Sequence, residues 1–117
     1  MVTSDMRQAK RERAWSLGAV LAEREIDEHT WLLVVRADAG LAAALALGRK
    51  FLRLRFGGYT TIVVNLTDSD HVSDPVLAML LEWRRKLELR GCRLVVAAEH
   101  PSVRRALERV GLEIADL

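Results

Sequence analysis

The chain of 117 residues is short of several things, and each shortage excludes a class of protein. It has a single cysteine, Cys92, so no internal disulfide and no cysteine-cluster metal site can form. No stretch approaches the ~20 uncharged apolar residues of a membrane span, and MVTSDMRQAKRERAW lacks the apolar core of a signal peptide. The expectation is therefore a cytoplasmic protein with no membrane insertion. Charge of one sign is not in excess: 18 Lys and Arg against 16 Asp and Glu leave a net +2, whereas binding a polyanion needs a concentrated basic face. Two basic clusters exist, Arg7-Lys10-Arg11-Arg13 and Arg49-Lys50-Arg53-Arg55. The first lies in a polar tail and the second at the end of a predicted helix, where cations complement the helix dipole. No nucleic-acid partner is expected.

What is present is a globular pattern, with 50% hydrophobic and 29% charged residues. The length fits one domain and no more. Residues 1–16 are polar and aperiodic and read as an arm; residues 17–117 form the domain. The stretch Ala19 to Ile26 and the apolar run Trp31 to Arg36, joined by the turn chemistry of Asp27-Glu28-His29-Thr30, predict a hairpin. Residues 41–56, rich in Ala and Leu, predict a helix ended by Gly57-Gly58. On a 3.6-residue wheel Leu41, Leu45, Gly48, Leu52 and Phe56 form one stripe, and Leu47, Phe51 and Leu54 carry the apolar arc past half the circumference. One core needs a narrower stripe than that. The excess predicts either deep burial or a second contact, and a homodimer through this helix is one expectation.

The β-branched run Tyr59 to Leu66 predicts a central strand, followed by a polar loop from Thr67 to Ser73. Asp74 as N-cap and Pro75 at the first position open the next helix, which runs to about Arg90 with Val76, Leu80, Trp83 and Leu87 inward. Gly91 stops it. A strand over residues 92–98 follows, then a helix from Pro101 and Ser102 to Val110, capped by Gly111, and a tail able to add a short edge strand. The order β-β-α-β-α-β-α predicts an α/β domain with a mixed, mostly parallel sheet flanked by helices.

In such sheets sites form beyond the carboxyl ends of the strands, which singles out the loop holding Asp68, Asp70, His71, Ser73 and Asp74. A divalent-ion reading needs several converging oxygens, and a nucleophile reading needs Ser73 oriented by His71. The patterns G-x-S-x-G, G-x-G-x-x-G and the P-loop are absent, so neither an enzyme nor a cofactor is expected. His29 in a turn and His100 before Pro101 read as surface or capping residues. Cys92 reads as a small buried hydrophobe, and Trp83 as core. Trp15 and Trp31 are not assigned by spacing alone, and Trp15 in the arm could anchor a partner.

From Leu17 onward the order of elements resembles the STAS domain, the fold of bacterial anti-sigma factor antagonists. Ile62-Val63-Val64-Asn65-Leu66-Thr67 is similar to that family's central strand, and Arg90 to Val96 to its G-G-R-L-V-L-V segment. Pro101 to Leu112 matches its closing P-x-V-R-R-x-L-x-x-x-G-L in full. The resemblance implies a non-enzymatic module that docks on an anti-sigma factor of the ATP-binding kinase type and thereby frees a sigma factor. In that family a serine at the start of the second helix is phosphorylated by the partner, which adds about −1.5 to −2 charges at a helix N-terminus.

Ungapped alignment sets Asp74 on that serine and Ser73 on the preceding Asp, so Asp-Ser has become Ser-Asp; the usual Gly is Val76. Three readings follow: Asp74 is a permanent negative charge, or Ser73 takes the phosphate one position early, or the loop only docks. The family's acid before the first helix finds its equivalent in Asp38. The resemblance thus implies a partner-binding set of Asp38, Thr67, Asp68, Asp70, His71, Val76 and Leu77 around Ser73 and Asp74. STAS domains also serve as structural subunits of lipid-transport ATPases or of stress-signalling assemblies, which is the alternative function.

Overall fold

A computed structural model of the chain describes residues 21–55 and 57–115. The predicted arm with Trp15, the first two residues of the predicted hairpin, and Phe56 lie outside the described residues. The elements are β1 (Leu21–Asp27), β2 (Thr30–Val35), α1 (Gly40–Leu54), β3 (Thr61–Asn65), α2 (Asp74–Glu88), β4 (Arg93–Ala97), α3 (Pro101–Arg109) and β5 (Ile114–Ala115). The sheet order is β1-β2-β3-β4-β5. β1 is antiparallel to β2, and every later pairing is parallel. The predicted α/β class, element order and mixed sheet therefore hold.

Strand alternation sorts side chains to the two faces of the sheet. Leu33, Val35, Ile62, Val64, Leu94 and Val96 point to one face and meet Ala43, Leu47 and Phe51 of α1, Val76, Leu80, Trp83 and Leu87 of α2, and Val103 and Leu107 of α3 in one core. Phe51 and Trp83 sit 5.7 Å apart, centroid to centroid, where α1 crosses α2. The opposite face carries a smaller cluster of Ala22, Leu32, Val34 and Val63. All described helices thus contribute to the first core.

Helix ends follow local chemistry. After α2 the Cys92 amide donates to the Leu87 carbonyl at 2.9 Å and the Gly91 amide to the Glu88 carbonyl at 3.0 Å. This crossed pair requires left-handed backbone at Gly91, whose φ is +74°. It also folds the chain back so that Cys92 packs against the core. The same pair recurs after α3, from Leu112 to Leu107 and from Gly111 to Glu108.

One expectation is corrected. Asp74 is not the N-cap of α2: Ser73 holds that position with φ −71° and ψ 153°, and Asp74 is the first helical residue. Of the two alternatives for the broad apolar arc of α1, deep burial holds only in part: Ala43, Ala44, Leu47 and Phe51 face the core, whereas Leu41, Leu45 and Leu52 are exposed.

Candidate functional site

The loops leaving β2 and β3 meet beyond the carboxyl ends of these parallel neighbours, and Ala37 fastens them together. Its amide donates to the Ser69 hydroxyl at 2.8 Å, and its carbonyl accepts from the Ser73 amide at 3.0 Å. Both Ala37 and Ser69 are buried, so the bond between them is shielded from water. The start of the second loop is fixed by Asn65, whose side-chain oxygen accepts from the Thr67 amide at 2.9 Å. The Leu66 amide donates to Ala97 on β4, and the Ser69 amide closes a turn onto Leu66. Ser69 went unremarked in the sequence because a serine between two aspartates has the signature of a solvated loop.

This frame presents an acidic rim. Asp38, Asp68, Asp70, His71 and Asp74 are all exposed. Ligand-type atoms of Asp38, Asp70 and His71 lie within 4.8 Å of one another, although Asp38 is more than thirty residues from the other two in sequence. His71 Nδ1 and Asp70 Oδ1 are 2.8 Å apart. That hydrogen bond holds the Asp70 carboxyl below the ordinary aspartate value, with desolvation pulling weakly the other way. A shallow cleft of about 180 Å³ opens between Arg36, Asp38, Asp68 and Ser69. Exposed acidic groups of this kind are common without an ion, and His71 Nδ1 is already engaged by Asp70.

The residues around the family's phosphorylated position divide sharply. The Ser73 hydroxyl is buried with no hydrogen-bond partner and makes no cap bond to α2. It is not hydrogen-bonded to His71, so the two parts of a serine–histidine pair are present without the contact that would activate the serine. Asp74, one residue on, is exposed in the first turn of α2, where a carboxylate complements the positive end of the helix. Thr67 and Leu77 are half-buried. Val76 belongs to the core with no exposure at all. Its place in a partner-binding set is therefore corrected: the helix turn that exposes Asp74 rotates the side chain two positions later inward.

The other singled-out residues sit apart from this rim. His100 is the N-cap of α3 and accepts from the Ser102 amide at 3.2 Å, while His29 is exposed in the β1–β2 turn. Cys92 is buried, and that burial pushes its thiol above the ordinary value. Trp31 is half-buried, tilted against Tyr59 with centroids 5.2 Å apart. No described helix is long and apolar enough to cross a membrane.

Solved structures share this architecture. The anti-sigma factor antagonist SpoIIAA in its unphosphorylated form superposes with a TM-score of 0.68 at 19% identity, covering 83% of this chain and 88% of its own. The phosphorylated form of the Bacillus cell fate determinant SpoIIAA gives 0.70 at 19%, covering 83% and 90%. A Thermotoga maritima protein named as a candidate anti-sigma factor antagonist gives 0.71 at 16%, covering 83% and 86%. At such identities the likeness is one of fold. No curated protein matches the chain by sequence. A family model described as "Mlab, STAS domain" matches residues 22–117, from the first strand to the last residue. The chain belongs to the STAS domain family.

Proposed function

We propose that the chain is a non-enzymatic, regulatory protein-docking module of the anti-sigma factor antagonist type. Its docking surface is the rim formed by Asp38, Thr67, Asp68, Asp70, His71 and Leu77 around Asp74. The partner is an anti-sigma factor of the ATP-binding kinase type, and docking frees a sigma factor. The observation that carries this reading is the contrast at the head of α2, where the Ser73 hydroxyl is buried and unpartnered while Asp74 is exposed. Of the three readings of the loop, a fixed charge at Asp74 agrees best with that contrast. Phosphate on Ser73 would require the Ser73–Ala37 junction to open first.

The same contrast favours a second reading. A module without a switchable hydroxyl suits permanent assembly, as a structural subunit of a lipid-transport ATPase or of a stress-signalling assembly. Affinity capture of the tagged chain from its own host, with mass spectrometry of bait and prey, separates the two. Recovery of a kinase-type anti-sigma factor supports the first reading, and stoichiometric recovery of a transporter ATPase supports the second. Stoichiometric phosphate on Ser73 would contradict the fixed-charge account in either case.

A further inference from the structure

Helix α1 places three leucines where nothing described covers them. Leu41, Leu45 and Leu52 are 63%, 48% and 49% exposed. At 100° per residue they fall within a sector about 40° wide and extend about 16 Å along the helix. Gly48 lies on the flank of this strip facing α2, and a Cβ there would come within 3.2 Å of the Met79 thioether. The methionine therefore continues the apolar surface into the gap beside the glycine. On the other flank Arg49 and Arg53 are exposed, and α1 contains no acidic residue at all.

We propose that this strip seats a second copy of the chain, α1 against α1, antiparallel about a two-fold axis. Two features make the strip complementary to itself in that orientation. The register that sets Leu41 opposite Leu52 of the second copy also sets Leu45 opposite Gly48 and the Met79 thioether beside it, so apolar surface meets apolar surface along the whole strip. Charge agrees. The acidic rim of Asp38, Asp68, Asp70 and Asp74 lies at the start of α1, and Arg49 and Arg53 lie in its second half. Antiparallel pairing brings the cationic half of each helix toward the acidic end of the other, whereas parallel pairing would stack Arg49 on Arg49.

The size of the strip sets the strength of the contact. It amounts to roughly 300 Å² per copy, the size of the largest patch a monomer ordinarily leaves bare. A standard interface buries about 800 Å² per partner. The dimer is accordingly weak, forms with rising concentration and loosens with salt.

Sedimentation velocity of the full chain over a wide concentration range tests this directly. The expected result is a reversible monomer–dimer equilibrium. Leu45→Arg should weaken it about a hundredfold or more, because the symmetry places the new charge in the strip twice. The variant should keep its thermal midpoint, since Leu45 takes no part in the core. For orientation, a mixture of Leu41→Cys and Leu52→Cys chains under mild oxidation should yield the 41–52 cross-link and no 41–41 product. A monomer at every concentration, an unchanged equilibrium in Leu45→Arg, or a dominant 41–41 cross-link would each overturn the proposal.

Discussion

Helices α1 and α2 have the same length, fifteen residues, lie on the same face of the sheet and pack against each other, yet they meet solvent differently. Four large apolar residues of α2, Val76, Leu80, Trp83 and Leu87, are consumed by the core, and its outer face carries charges of both signs, Glu82 pairing with Lys86. α1 turns two alanines, Leu47 and Phe51 inward and leaves three leucines outside. One helix is finished by the fold alone, and the other carries more apolar surface than one core can take up. The difference teaches that a burial pattern must be read against the number of faces a helix has, not against its composition.

The largest expected effect sharpens this contrast. Leu80→Ala should cost about 2–5 kcal/mol by opening a cavity in a fully packed site, whereas Leu45→Ala should stay within about 0.5 kcal/mol. Chemical denaturation of the two variants at low protein concentration checks the pair. Comparable losses would mean that the leucine strip belongs to the core after all.

Next in size are two serines in one loop. Ser69→Ala removes the acceptor of the buried Ala37 amide, leaving an unpaired donor at a cost of about 1–3 kcal/mol. At about 4–8 °C per kcal/mol for a domain of this size, thermal scanning resolves that easily. An N-cap serine ordinarily contributes about 1 kcal/mol, but Ser73 makes no cap bond and its hydroxyl is buried without a partner. Ser73→Ala should therefore be neutral within about 0.5 kcal/mol or slightly stabilising. A loss as large as that of Ser69→Ala would show that the Ser73 hydroxyl is paired.

The smallest effect is at the exposed rim. The hydrogen bond from His71 lowers the Asp70 carboxyl. A carboxyl depressed in the folded state favours folding above the ordinary aspartate value, and that contribution is lost as pH falls through the lower folded value. Wild type should exceed Asp70→Asn in thermal midpoint by a small margin near neutral pH, and the two should converge on acidification below the carboxylate range. A margin that grows in acid would reverse the sign of this assignment.

Much of the fold was legible because the chain marks its boundaries with residues that have few other uses. Gly91 and Gly111 take left-handed backbone at helix ends, Pro101 opens α3, and the β-branched run over Ile62 to Val64 fills the middle of the sheet. The site was less legible. Asp38 was grouped with Asp70 and His71 by resemblance alone; their approach in space depends on the pairing of β2 with β3, which no local pattern encodes. Ser69 looked like loop filler, because the amide it satisfies lies 32 residues away. The N-cap falls on Ser73 one position before the expected Asp74, since both residue types are good N-caps and local pattern does not choose between them. Val76 entered the partner-binding set by resemblance although its helical spacing already turned it inward.

The central claim is that the rim around Asp74 docks a partner without a switchable hydroxyl at Ser73. Its most direct test is quantitative affinity capture from the native host, comparing wild type with Asp74→Lys at equal expression and with phosphate mapped on the bait. The account predicts one dominant partner that is depleted in Asp74→Lys, an unchanged thermal midpoint within a few degrees, and an unmodified Ser73. Equal capture by both chains, or stoichiometric phosphate on Ser73, would contradict it.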